Sequence, residues 1–290
     1  MSNTTNAAPG PTPTSVPRWA RFVAIGDSFS EGLWDPYASS PDGVAAAPDD
    51  SREDVQRGWA DRLADALTAR RVAAGAPPIE YANLAIRGRL LHQIVAEQLP
   101  VALAAQPDLI SLVGGGNDIL RPGVDVDHIS ADLEDAVVRA RAAGVDVLLG
   151  AGFKAGGALS FTRSRAGVFN ANIWSIAQRH GAYVLDLWGM RSLADLRLWA
   201  DDRLHLTGEG HRRVMNAALV ALRVGPDDAD FDRPLDPAPP APLVEKAKAE
   251  AEWAREYVVP WVKRRLTHTS SGDGRAPKWP HPVRWPDARE

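Results

Sequence analysis

Ser28 ends the stretch Phe22-Val-Ala-Ile-Gly-Asp-Ser28, in which an apolar run breaks off at Gly-Asp and is followed by Phe29-Ser-Glu-Gly32. Such a pattern predicts a buried strand that delivers a hydroxyl to the rim of a sheet. A serine there can act as a nucleophile if a base takes its proton and if donors hold the charge that develops on the attacked carbonyl oxygen. Three other segments carry residues of those types. Asn83-Leu-Ala-Ile-Arg-Gly88 follows a second apolar run, and a glycine opening a loop can turn its N–H toward an oxyanion with no side chain in the way. Gly114-Gly-Gly-Asn-Asp118 follows a third run; its glycines permit close approach of a ligand, and the Asn117 amide can donate to an oxyanion. Asn117 and Asp118 also suit a helix N-cap. Asp202-Arg-Leu-His205 sets a carboxylate three residues before an imidazole, so that Asp202 can accept from Nδ1 and leave Nε2 for the serine proton. Asp201 is an alternative acid, Asp27 suits the turn before Ser28, and His211 falls inside the helix that follows.

These segments need a frame. Strand-like runs at Phe22–Ile25, Ile79–Ala82, Leu109–Val113, Val145–Leu149 and Tyr183–Leu187 alternate with helical patterns. The helices are Trp59–Arg71, a segment with Leu91, Ile94 and Val95, Ser130–Ala143, one carrying Phe169, Ile173, Ile176 and Ala177, and one carrying Val214, Ala218 and Leu222. This alternation predicts an α/β fold, a mainly parallel five-stranded sheet covered on both faces, with its site at the carboxyl ends of the strands. All four segments fall there. Leu33–Gln56 and Lys154–Ser164 are the loops expected to shape the entrance, and Trp34, Tyr37 and Arg87 are expected to line the site.

The rest of the chain bounds the function. Its 290 residues are 45% hydrophobic and 24% charged with a net charge of −4, which gives no electrostatic reason for nucleic acid as a partner. There are no cysteines, and no H-E-x-x-H segment occurs, so neither a metal nor a cofactor is implied. The phosphate-loop patterns G-x-x-x-x-G-K-[ST] and G-x-G-x-x-G are missing from the strand–helix junctions. No signal peptide or membrane-spanning run is evident, so the expected location is the cytoplasm; oligomeric state is left open. Residues 1–18 are expected to be a disordered tail and 19–224 the catalytic domain. Residues 225–266 read as a Pro-rich linker and a helix, kinked at Pro260 and packed on the domain through a stripe that includes Ala251, Val258 and Trp261. Residues 267–290, with Trp279 and Trp285, read as a disordered end.

In this order and spacing, Gly26-Asp-Ser-Phe29, Gly88, Gly115-Gly-Asn-Asp118 and Asp202-x-x-His205 resemble the four blocks of the SGNH hydrolase superfamily, the GDSL-type esterases and lipases. The resemblance runs from about Arg21 to Val224. Gly58-Trp-Ala-Asp-Arg-Leu63 and Asn83–Leu91 look like its bacterial, particularly actinobacterial, branch. Phe29 stands where the leucine of the GDSL motif would be, and no G-x-S-x-G elbow surrounds Ser28. The resemblance implies a three-layer α/β/α sandwich with Ser28 as nucleophile, His205 as base and Asp202 as the acid that orients it. It also implies an oxyanion hole made by the Ser28 and Gly88 N–H groups and the Asn117 amide. The implied activity is hydrolysis of carboxylic esters of small molecules, small acyl esters or O-acylated sugars, through an acyl-serine. An acyltransferase using the same residues and a non-catalytic binding module are the alternatives.

Overall fold

The computed structural model describes residues 17–37, 55–154, 156–238, 242, 248–249, 251–258 and 270–286. Apolar runs, charged only at their ends, become strands: β1 (Arg21–Gly26), β2 (Glu80–Asn83), β3 (Leu109–Val113), β4 (Asp146–Ala151) and β5 (Tyr183–Asp186). The helices are α1 (Ser28–Glu31), α2 (Gly58–Ala73), α3 (Leu91–Gln93), α4 (Leu99–Ala104), α5 (Gly116–Ile119), α6 (Val126–Ala142), α7 (Arg163–His180) and α8 (Gly208–Ala221). A π-helical turn, Ile94–Gln98, joins α3 to α4.

The sheet has six strands in the order β5-β4-β3-β1-β2-β6, the last being β6 (Trp279–Arg284). Neighbours among β1 to β5 run parallel, and β6 runs antiparallel to β2. Period-two alternation splits the core between the two faces. Phe22 and Ala24 of β1 join a cluster with Trp59, Leu63 and Leu219 of α2 and α8, whereas Val23 and Ile25 join one with Leu91, Val137 and Ile173 of α3, α6 and α7. The sandwich therefore has helices on both sides of a buried sheet, as expected.

Two expectations are corrected. The sheet has a sixth strand, and the chain from Ser270 to Pro286 is ordered where disorder was expected from 267 on. The reason lies in burial: Trp285 is wholly buried and meets Tyr81 edge-on with ring centroids 4.8 Å apart, and Trp279 packs against Trp285 at 5.5 Å. The amino-terminal residues 1–16, most of the Leu33–Gln56 loop, and much of the Leu243–Leu266 segment including Pro260 lie outside the described residues. Of that segment, Trp253 is buried with the Arg203 guanidinium 4.7 Å from its ring centroid. No described helix is long and apolar enough to cross a membrane.

Candidate active site

β1 ends at Gly26, whose φ of +155° and whose approach to the Val113 carbonyl leave no room for a side chain: a Cβ there would lie 2.3 Å from that oxygen. The Gln98 side chain brackets the Gly26 peptide groups at the same point, accepting its N–H at 2.8 Å and donating to its carbonyl at 2.9 Å. Asp27 then caps α1 by accepting the Phe29 N–H at 3.0 Å, which fixes Ser28 as the first residue of that helix.

In the segment between β5 and α8, Asp202 accepts the backbone N–H groups of Leu204 and His205 through Oδ1, each at 3.0 Å. Its Oδ2 stands 2.6 Å from His205 Nδ1, and His205 Nε2 stands 2.8 Å from Ser28 Oγ. Carboxylate, imidazole and hydroxyl thus form one relay across residues far apart in sequence. Burial raises the Asp202 carboxyl, but the hydrogen bond and charge of His205, with the two backbone donors, outweigh it and hold the group below the usual carboxylate range. Asp201, the alternative acid, is exposed. His211 is buried in α8, with Nε2 3.4 Å from the Leu33 carbonyl.

Gly88 sits in the loop after β2 with φ +77°. Neither its N–H nor that of Ser28 is donated to any described residue. Glu31, at the end of α1, steadies the loop by accepting the Arg87 N–H at 2.6 Å and pairing with its guanidinium. Asn117, on α5, donates its amide to the Arg89 carbonyl at 3.1 Å and more weakly to Asp27 Oδ2 at 3.3 Å. Burial pushes the Asp27 carboxyl up to about 6.

Ser28, Gly88, Asn117, Asp202 and His205 all border one cavity of about 610 Å³. Its lining includes apolar Ile119, Leu120, Leu159, Ala166 and Phe169 beside polar Arg121, Thr162 and Asn170, and Leu159 comes from the expected entrance loop Lys154–Ser164. Trp34, Tyr37 and Arg87 do not line it. Tyr37 instead donates to Asp61 at 2.7 Å, Arg87 faces Glu31, and Trp34 stands in solvent. Sequence proximity alone put them at the site. Glu31 and Gln98 were missing from the sequence expectations; each holds a backbone group far away in the chain, and no local pattern marks them.

A mainly parallel sheet with these residues together at one cavity, and likeness to a hydrolase family and to solved esterases, make the protein a carboxylic ester hydrolase. Residues 24–213 match the GDSL-like lipase/acylhydrolase family, and the chain belongs to it. No curated protein matches the chain in sequence. Among solved structures it is similar to an acetyl xylan esterase variant from Geobacillus stearothermophilus, with 20% identity and a TM-score of 0.58, over 72% of this chain and 97% of that one. An α/β hydrolase enzyme from the metagenome of Lake Arreo, Spain, gives 21% identity and a TM-score of 0.57 over 71% and 95%. A psychrotrophic esterase from Pseudoalteromonas, inhibited by monoethylphosphonate, gives 15% and 0.53 over 70% and 97%.

Proposed function

We propose that the protein hydrolyses small-molecule carboxylic esters through an acyl-serine intermediate on Ser28. The unbroken Asp202–His205–Ser28 relay, at 2.6 and 2.8 Å, carries this reading. His205 Nε2 takes the Ser28 proton as Oγ attacks the ester carbonyl, then gives it to the departing alkoxide. Water, deprotonated by the same nitrogen, releases the acid and restores the serine. Ionised Asp202 keeps the proton of the resting imidazole on Nδ1 and stabilises the imidazolium that forms. The free N–H groups of Ser28 and Gly88 and the amide of Asn117 hold the oxyanion, Asn117 exchanging its long bond to Asp27 for the stronger acceptor.

The acyl chain lies against the Ile119–Leu120 and Leu159–Phe169 wall, while the alcohol part faces the polar side of the cavity. Likeness to an acetyl xylan esterase supports O-acylated sugars among the alcohols. Ser28→Ala tests the reading: it is expected to lose turnover of p-nitrophenyl and sugar esters together with covalent labelling by a fluorophosphonate. Turnover like that of the wild type in this variant would overturn it.

A further inference from the structure

The chain beyond residue 213 is outside the matched family span, yet its last described segment, 270–286, reaches the cavity. It is moored deep in the domain. Lys278, buried, donates to the carbonyls of Glu31, Gln56 and Arg57 at 2.7, 2.6 and 2.8 Å and pairs with Asp61 at 2.9 Å. The indole of Trp279 donates to Asp61 at 3.1 Å and that of Trp285 to Asp65 at 2.7 Å. A buried ammonium has three N–H donors, and with four acceptors around it all three are used, so leaving this place would strand its charge without partners. One of those acceptors is the carbonyl of Glu31, whose side chain also holds the Arg87 N–H.

From this mooring, the turn Ser270–Asp273 is laid over the peptide between Arg87 and Gly88. The turn is closed by Asp273, which accepts the Ser270 N–H at 2.8 Å, and by Ser270 Oγ, which accepts the Gly272 N–H at 3.2 Å. Contact with the loop needs a glycine on each side. A Cβ on Gly272 would lie 2.0 Å from the Arg87 carbonyl oxygen, and one on Gly88 would lie 2.1 Å from Ser270 Oγ. The backbone carbonyl cannot yield as a flexible side chain would. Ser270 and Asp273 border the same cavity as Ser28 and Asn117. The Ser270 hydroxyl accepts from Gly272, and no described residue takes its own hydrogen, which leaves it a donor beside the Gly88 N–H.

We propose that the turn Ser270–Asp273 is a working wall of the ester site, in which Ser270 hydrogen-bonds the alcohol part of the substrate and Gly272 positions the Gly88 N–H. The proposal rests on the acyl-serine reading above. The assignment to the alcohol follows from side-chain chemistry: Ser270, Asp273 and Gln93 are polar, whereas Ile119, Leu120, Leu159, Ala166 and Phe169 elsewhere in the lining are apolar and suit the acyl chain.

Full-length wild type, Ser270→Ala, Gly272→Ala and Ser28→Ala are compared on ethyl butyrate and glycerol monobutyrate, which share an acyl group and differ in the hydroxyls of the alcohol. Thermal melting and tryptophan emission check each fold. Ser270→Ala is expected to lower the ratio of kcat/KM for the glycerol ester over the ethyl ester about five-fold, mainly through KM, the size of one lost neutral hydrogen bond. Gly272→Ala is expected to lower kcat on both esters by about 10- to 100-fold with little change in KM, as misplacing an oxyanion donor would. An unchanged ratio in Ser270→Ala overturns the alcohol contact. An unchanged kcat in folded Gly272→Ala overturns the positioning role, and if that variant does not fold, the ratio in Ser270→Ala decides the proposal alone. Activity surviving in Ser28→Ala would instead sink the acyl-serine reading, so the two failures are separable.

Discussion

Asp202 shows how much a single carboxylate contributes at the scale of one residue. Two backbone N–H groups fix its Oδ1, so Oδ2 has no freedom to leave the His205 ring. Asp202→Asn keeps an acceptor for both backbone donors but puts an amide where Oδ2 was, which forces the imidazole into the wrong tautomer. Turnover is expected to fall by about 10³- to 10⁴-fold with the melting temperature nearly unchanged; an activity loss under ten-fold in a steady-state assay would contradict the relay. In the proposed mechanism Asn117→Ala removes one oxyanion donor, and it is expected to cost about 10²- to 10³-fold in kcat. Its measure is kcat on a p-nitrophenyl ester beside the affinity for a phosphonate, both of which should fall. The segments that bring Ser28, Gly88, Asn117, Asp202 and His205 to one cavity could be picked out in the sequence by Gly-Asp-Ser at the end of an apolar run, a glycine opening a loop, a glycine run before an asparagine, and an acid three residues before a histidine. Glu31 and Gln98 were not legible: they act on backbone groups of other segments, the Arg87 N–H and the Gly26 peptide, and any polar residue in their positions reads as ordinary surface.

Among the elements, β1 to β4 could be read from sequence because strands buried on both faces are near-continuous apolar runs, and β5, a half-buried edge strand, from the short run Tyr183–Leu187. β6 could not. Trp279-Pro-His-Pro-Val-Arg284 has two prolines and no apolar run, which argues against a strand anywhere except an edge. The register explains how it forms: the Trp285 N–H reaches the Ile79 carbonyl at 2.9 Å, so position 282 turns its nitrogen to the outer edge, and position 280 falls where the pairing with β2 shifts register, a place where no ladder donor is required. The same prolines keep that edge from pairing with another chain. Packing of the two indoles supplies what the missing apolar run would have given. Trp285→Ala, at a wholly buried position against Tyr81, is expected to destabilise the fold by about 3–5 kcal/mol in urea unfolding, the usual range for an emptied tryptophan site. A change below 1 kcal/mol would mean that β6 contributes little to the domain.

Over the whole molecule, two buried groups give opposite responses to acid. Asp27 is raised from 3.8 to about 6, chiefly by burial, so the folded state binds its proton more readily than the unfolded chain does. Its contribution is present in full below pH 3.8 and is lost as pH rises through 6, a swing of about 3 kcal/mol. His211 is lowered from 6.5 to about 4, again chiefly by burial, with Arg62 and Lys278 adding to it against Asp35 and the Leu33 carbonyl. Its contribution is present above pH 6.5 and is lost as pH falls toward 4, also by about 3 kcal/mol. Between these limits the two swings largely cancel. Removing either should therefore expose the other. Asp27→Asn is expected to gain stability over the wild type progressively from pH 4 to pH 7, and to be the more acid-sensitive protein. His211→Gln, which can keep a donor on the Leu33 carbonyl, is expected to lose less stability than the wild type between pH 7 and pH 4. Urea unfolding at pH 7, 5.5 and 4 measures all three proteins, and parallel profiles would show that neither proton is linked to folding.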